Sequence, residues 1–182
     1  NDAFMQIFME NGPEGVAYAV SAGADIISMS FGGAQEMETL INIIEAGHNR
    51  GCIFVAAAGN DGNETVNYPA GYEHVIAVGA SDADDLVAEF SQRGDFIDIM
   101  TPGAAIFSAL AWTEQYGPQD GTSMACPLTA GAIALLKAHR PDATNEQIIH
   151  CLYAGADDIS SLNPGLEEKI GAGRLNVYNS IM

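Results

Sequence analysis

The stretch Thr122–His139 constrains this chain more than any other. It reads as a helix, with Pro127 tolerated in its first turns. Ala125, Ala130, Gly131, Ala132, Ile133, Ala134, Leu135 and Leu136 leave it almost no polar face. A helix apolar nearly all round belongs in the middle of a protein, so other elements must cover it in layers. The 182 residues are enough to bury a sizeable core. No repeat, linker or low-complexity tract divides them, which predicts one domain over residues 1–182.

Around that helix, apolar runs alternate with helical patterns. Strands are expected at Asp25–Ser30, Gly51–Ala58, His74–Ala80, Asp95–Met100 and Ala105–Leu110. Gly51–Ala58 (GCIFVAAA) is a continuous apolar run of the kind buried on both faces of a parallel sheet. Helices are expected at Pro13–Ala22, with Pro13 in the first turn, and at Glu36–Asn49. In the second, Met37, Leu40, Ile41, Ile44 and His48 fall at helical spacing. Pro141 ends the central helix, and Thr144-x-x-Gln147 resembles a capping box for a last amphipathic helix bearing Ile148, Ile149 and Leu152. Strands alternating with helices imply βαβ crossovers, hence an α/β fold with a mainly parallel sheet.

Charge and composition exclude several classes. Six Lys and Arg stand against 24 Asp and Glu, a formal charge of −18, which argues against nucleic acid and against an anionic membrane surface. No apolar run approaches the roughly 20 residues of a membrane helix. Cys52, Cys126 and Cys151 are an odd number without CxxC spacing; they predict neither a disulfide framework nor a zinc knuckle but three small buried side chains. Gly171-x-Gly173 lacks the third glycine of a dinucleotide loop. The chain opens on Asn1-Asp2 with no visible signal peptide, as a cut or trimmed chain would.

Two stretches carry chemistry. Gly121-Thr122-Ser123-Met124-Ala125-Cys126-Pro127 lies where a loop enters the central helix, so the Ser123 hydroxyl sits beside unpaired N–H groups at the positive end of the dipole. Ser123 is either an N-cap or a nucleophile there. Ala56-Ala57-Ala58-Gly59-Asn60-Asp61-Gly62 lies where the buried strand ends, and open parallel sheets bind ligands at the carboxyl ends of their strands. Asn60 is either a turn residue or a side-chain donor to a developing oxyanion.

Together these stretches closely resemble the subtilisin-like serine proteases. Asp25–Gly33 (DIISMSFGG), Phe54–Gly62 (FVAAAGNDG), Tyr68-Pro69-Ala70, Val75–Ser81, Phe90-Ser91, Ile99–Gly103 (IMTPG), Gly121–Pro127 (GTSMACP) and Gly171–Val177 (GAGRLNV) match in order along nearly the whole chain. The resemblance implies a three-layer subtilisin-like fold and a serine endopeptidase acting on peptides or proteins. Ser123 would be the nucleophile. Asn60 and the Ser123 N–H would form the oxyanion hole. Ser30, Phe31, Gly32 and Gly33 would pair with the substrate backbone, with Gly32 leaving room for the side chain before the cut. Ala57, Ala58 and Gly59 would form the opposite wall of that primary pocket. Asn67, where many members carry Gly, would lie at its floor and favour medium or polar side chains over Phe and Tyr.

The pattern breaks in one respect. The family's triad runs Asp, His, Ser, and its Asp and His motifs are absent from these residues. None of His48, His74, His139 and His150 follows a Gly-Thr pair, as the family's base does, and His139 lies at the far end of the central helix from Ser123. The expectation is therefore a serine-bearing C-terminal portion, lacking the family's N-terminal part, with Asp and His supplied by an N-terminal segment. Two alternatives stand beside it: a non-catalytic binding or regulatory module, and a subtilase dedicated to one precursor. Leu128 replaces the His that usually follows the motif's Pro, a change read as core packing. No cofactor is required. Calcium is a candidate, either at Asp82-Ala83-Asp84-Asp85, which otherwise reads as a solvated acidic loop, or at backbone carbonyls of Ala70–Val75 as in the family. The family is mostly secreted, whereas free cysteines and acidic charge also suit an intracellular member.

Overall fold

A computed structural model describes residues 2–111 and 113–182, and residues 2–10 as backbone only. Strands β1 (Ile26–Met29), β2 (Ile53–Ala57), β3 (Val75–Ser81) and β4 (Ile99–Pro102) form one sheet in the order β1-β2-β3-β4, every neighbouring pair parallel. The register sets Met29 beside Ala56 and Ala57 beside Val78, so the carboxyl ends of β1, β2 and β3 come together.

Every side chain of β2 and β3 is buried, as the unbroken apolar runs predict. Alternate residues feed two cores. Ile53, Val55 and Ala57, with Ile76, Val78 and Ala80, face helix α3 (Thr122–His139) and helix α4 (Asn145–Ala154). Phe54, Ala56, Val75 and Ala77 face helix α1 (Asp2–Ser21) and helix α2 (Glu38–His48). The result is three layers, helices on both faces of a parallel sheet.

Helix α4 begins with the expected capping box: the Thr144 side chain accepts from the Gln147 N–H, and Gln147 Oε1 accepts from the Thr144 N–H at 2.9 Å. Three expectations are corrected. Helix α1 starts well before Pro13, which lies inside it rather than in its first turn. An antiparallel hairpin, β5 (Ile106–Ala109) with β6 (Tyr116–Gln119), stands outside the main sheet, and its second strand escapes notice because it contains Gly117 and Pro118. Helix α3 is not covered all round. Pro127, Leu128, Gly131, Ala134, Leu135 and Ala138 form an exposed stripe at helical spacing, with Leu128 43% and Leu135 57% exposed. Leu128 therefore faces outward rather than packing in the core. A short helix, α5 (Val177–Ile181), closes the described chain.

Candidate active site

A cavity of about 590 Å³ opens where β1 and β2 end and α3 begins. Ser123, Asn60, Ser30, Phe31, Gly32, Gly33, Ala57, Gly59 and Asn67, all expected from sequence, line it. Ala58 does not: it is fully buried behind the wall, where its N–H donates to Val78 O and its carbonyl accepts from Asn67.

Ser123 sits in the first turn of α3, where N–H groups have no intrahelical partner. The N-cap position belongs to Gly121, whose φ of 151° and ψ of 153° suit glycine and little else and which has no side chain to cap the helix itself. Ser123 Oγ is half-buried and donates to the Ser30 carbonyl at 3.3 Å; Ser30 Oγ donates back to the Ser123 carbonyl at 2.8 Å. This reciprocal pair ties the end of β1 to the start of α3.

Asn60 is oriented by its acceptor side. Its Oδ1 takes the Thr122 N–H at 2.9 Å and the Thr122 hydroxyl at 3.0 Å. A backbone N–H can only donate, so the amide cannot be turned the other way, and Nδ2 is left without a protein partner among the described residues. Thr122 Oγ1 in turn accepts from the Gly59 N–H at 3.1 Å. Thr122, fully buried, is thus a site residue that sequence reading passed over, although it stands inside the GTSMA motif.

Gln92 is another. It is fully buried, yet every polar atom of its amide is used. Its Oε1 accepts from Asp61 N and Asn63 N at 3.2 and 3.1 Å, and its Nε2 donates to Asn63 Oδ1 and Thr65 O at 2.9 and 3.0 Å. Its backbone N–H reaches Gly59 O at 3.0 Å. One buried amide therefore braces the loop that carries Asn60. Nothing in the local sequence marks it, because the partners lie about 30 residues away.

The glycines of the Ser30–Gly33 stretch have separate tasks. Gly33 exchanges both backbone hydrogen bonds with Tyr68, at 2.9 and 2.8 Å. A Cβ on Gly32 would stand 2.7 Å from the Tyr68 carbonyl, so that position admits the Tyr68 backbone.

No histidine lines the cavity. His48 ends α2 and stacks on His74, ring centroids 3.8 Å apart. His139 lies in the last turn of α3, about 24 Å along the helix from Ser123. His150 borders a different cavity beside Arg140 and Cys151. Burial pushes the Cys126 and Cys52 thiols up, while Cys151 is only half-buried, with its sulfur 3.1 Å from Arg140 Nη1, and so corrects the expectation of three buried cysteines. In the acidic loop, Asp82 Oδ1 accepts from the N–H groups of Asp84 and Leu86, and Asp85 pairs with Arg174 at 2.7 Å. Among the described residues no three His, Cys, Asp or Glu converge as a metal site, and no helix is long and apolar enough to cross a membrane.

The model of the subtilase family, peptidase S8, matches residues 9–173. A thermophilic serine proteinase from Bacillus sp. (strain AK1) is 39% identical over 168 residues, which is 92% of this chain and 40% of that protein. Thermitase from Thermoactinomyces vulgaris is 38% identical over 167 residues, 92% of this chain and 57% of thermitase. The chain thus spans roughly half the length of these two relatives. Among solved structures, the prenylagaramide maturation protease PagA superposes with a TM-score of 0.84 at 28% identity, covering 93% of this chain and 65% of that one. The patellamide maturation protease PatA superposes at 0.81 with 30% identity, covering 93% and 66%. Sequence, layered parallel sheet and motif order agree: this chain belongs to the subtilase family.

Proposed function

We propose that these residues are the serine-bearing portion of a subtilisin-like endopeptidase. Ser123 Oγ attacks the scissile carbonyl, and the electron pair of the C=O moves onto oxygen. Asn60 Nδ2 and the Ser123 N–H stabilise that oxyanion. A base takes the Ser123 proton and delivers it to the leaving amine, giving an acyl-enzyme that water then hydrolyses. The single observation that carries the reading is the Asn60–Thr122 lock, which leaves an unspent amide donor beside a serine at a helix N-terminus.

The base and its carboxylate partner come from a segment outside these 182 residues. This rests on the contacts of Ser123, whose Oγ bonds to Ser30 O and has no histidine beside it. The same segment covers the exposed apolar stripe on α3 and the outer edge of β1, which pairs with no strand among the described residues. Gly33 is spent on Tyr68, so Ser30–Gly32 is the stretch left to pair with a substrate strand.

The substrate is a peptide or protein. A dedicated precursor is the favoured version, supported by the likeness to two maturation proteases. Expression of the complete protein tests the whole reading. Cleavage of peptide substrate that is lost in Ser123→Ala is expected, with an Asp-Thr-Gly-like and a His-Gly-Thr-like stretch upstream. Cleavage that survives Ser123→Ala refutes it; the absence of any cleavage by the complete protein favours a binding module instead.

A further inference from the structure

We infer that Cys151 is a site of reversible mixed-disulfide formation with a carboxylate-bearing low-molecular-weight disulfide, which Arg140 recruits. The site lies at the opposite end of α3 from Ser123 and is independent of the endopeptidase reading. A cavity of about 480 Å³ opens there, lined by Arg140, Ala143, Glu146, Gln147, His150 and Cys151. That lining puts a nucleophile and a cation in one solvent-open space. Cys52 and Cys126 are buried, so Cys151 is the cysteine that a solute can reach.

Arg140 is fixed by two hydrogen bonds. Its Nη1 donates to Cys151 Sγ at 3.1 Å, and its Nη2 donates to the Ile181 carbonyl in α5 at 3.0 Å. The charge itself is not offset. Lys137, Lys169 and Arg174 each stand beside a carboxylate, whereas none among the described residues lies within ion-pair distance of Arg140. Glu146 lines the same cavity, but its Oε2 accepts the Thr144 hydroxyl at 3.1 Å. A half-buried guanidinium without a counter-ion favours an anionic ligand, and its planar fork suits a carboxylate.

The exchange balances without a further reagent. Cys151 Sγ, its proton given to solvent, attacks one sulfur of the small disulfide. The S–S bond of that molecule breaks and a new bond to Sγ forms. The electron pair leaves on the second sulfur, which takes a proton from water and departs as a thiol. Cysteine is oxidised and the departing half is reduced. Negative charge passes from the attacking to the leaving sulfur, beside a guanidinium already in place.

The test incubates the complete, reduced protein with oxidised glutathione, which is anionic, or with hydroxyethyl disulfide, which is neutral. Mass spectrometry of the digest gives the rate of adduct formation at each cysteine. Each rate is divided by that of N-acetylcysteine with the same reagent, which removes differences in intrinsic reactivity. An adduct on Cys151, reversed by dithiothreitol, is expected, with Cys52 and Cys126 unmodified. The normalised rate should favour oxidised glutathione by roughly fivefold at low salt, although the whole chain is strongly acidic. That preference should fall toward one in about 1 M salt and in Arg140→Gln, and persist in Arg140→Lys. If Arg140→Gln does not fold, the salt series on the native protein decides. No adduct on Cys151, a native preference of one or below, or a preference indifferent to salt or to a folded Arg140→Gln overturns the inference.

Discussion

Asn60 and Thr122 are joined twice: the Asn60 side-chain oxygen accepts the backbone N–H of Thr122 at 2.9 Å and its hydroxyl at 3.0 Å. The residue proposed to hold the oxyanion is thereby bonded to the residue that immediately precedes the proposed nucleophile. The two motifs lie about 60 residues apart in sequence, and this contact makes them one unit. Aim rather than reach is what the lock supplies, since preorganised donors act without reorganising during reaction.

Loosening the lock should therefore cost turnover more than binding. Thr122→Val keeps the backbone bond but deletes the hydroxyl that links Asn60 and Gly59. A loss of roughly tenfold in kcat with little change in KM is expected, about the value of one hydrogen bond. Replacing Asn60 itself should cost about 10²–10³, a magnitude established on a subtilisin asparagine and adopted here. Steady-state kinetics of both variants checks the order; a Thr122→Val enzyme with native kcat would contradict it.

Gln92 should behave as a positioning residue. Gln92→Leu removes the shared acceptor of the Asp61 and Asn63 N–H groups and the donor to Asn63 and Thr65, bonds typically worth about 0.5–1.5 kcal/mol each. Thermal unfolding should shift downward, and kcat should fall at temperatures where the variant is still fully folded. A lower Tm with unchanged kcat would mean that the brace serves stability alone.

Much of this fold is legible in the sequence because burial is. The unbroken apolar runs at Ile53–Ala57 and Val75–Ser81 announce interior parallel strands, and Thr144-x-x-Gln147 announces a helix start. What cannot be read is whatever depends on distant partners. Leu128 and Leu135 look like core residues in sequence, yet the described chain has nothing to lay over them. Gln92 looks like a loop residue until Asp61, Asn63 and Thr65 are seen around it. Motif spacing locates Ser123 and Asn60, but only the fold reveals that Gly33 is spent on Tyr68 and that Ala58 stands behind the wall.

The exposed stripe on α3 has a physical consequence. These 182 residues produced alone should be catalytically silent and prone to self-association, because Leu128, Leu135 and the outer edge of β1 offer apolar surface and unpaired backbone. Native mass spectrometry with an activity assay is decisive here. A monomeric, active species of this chain by itself would contradict the assignment of the base to another segment.

A buried carboxyl gives a prediction in pH. Burial raises the pKa of Asp98, against the pull of the Ala77 N–H, whose bond to Oδ2 is 2.7 Å, and of Tyr153. The folded state therefore holds this proton more tightly than the unfolded state does. Its stabilising contribution is complete below the unfolded pKa of about 3.9 and is lost as pH rises through the folded value. Asp98→Asn has no proton to lose and keeps an acceptor for Ala77. Its stability relative to the native protein should grow as pH rises above about 4. Urea midpoints at several pH values test this, and a difference that stays constant with pH would refute it.

The central claim is that Ser123 is the acylated nucleophile of a subtilisin-like enzyme. The most direct measurement is to treat the complete protein with a fluorophosphonate probe, digest it and locate the adduct by mass spectrometry. A single adduct on Ser123 is expected, abolished in Ser123→Ala and slowed in Asn60→Ala. An adduct on another serine, or an active protein that takes up no probe, would contradict it.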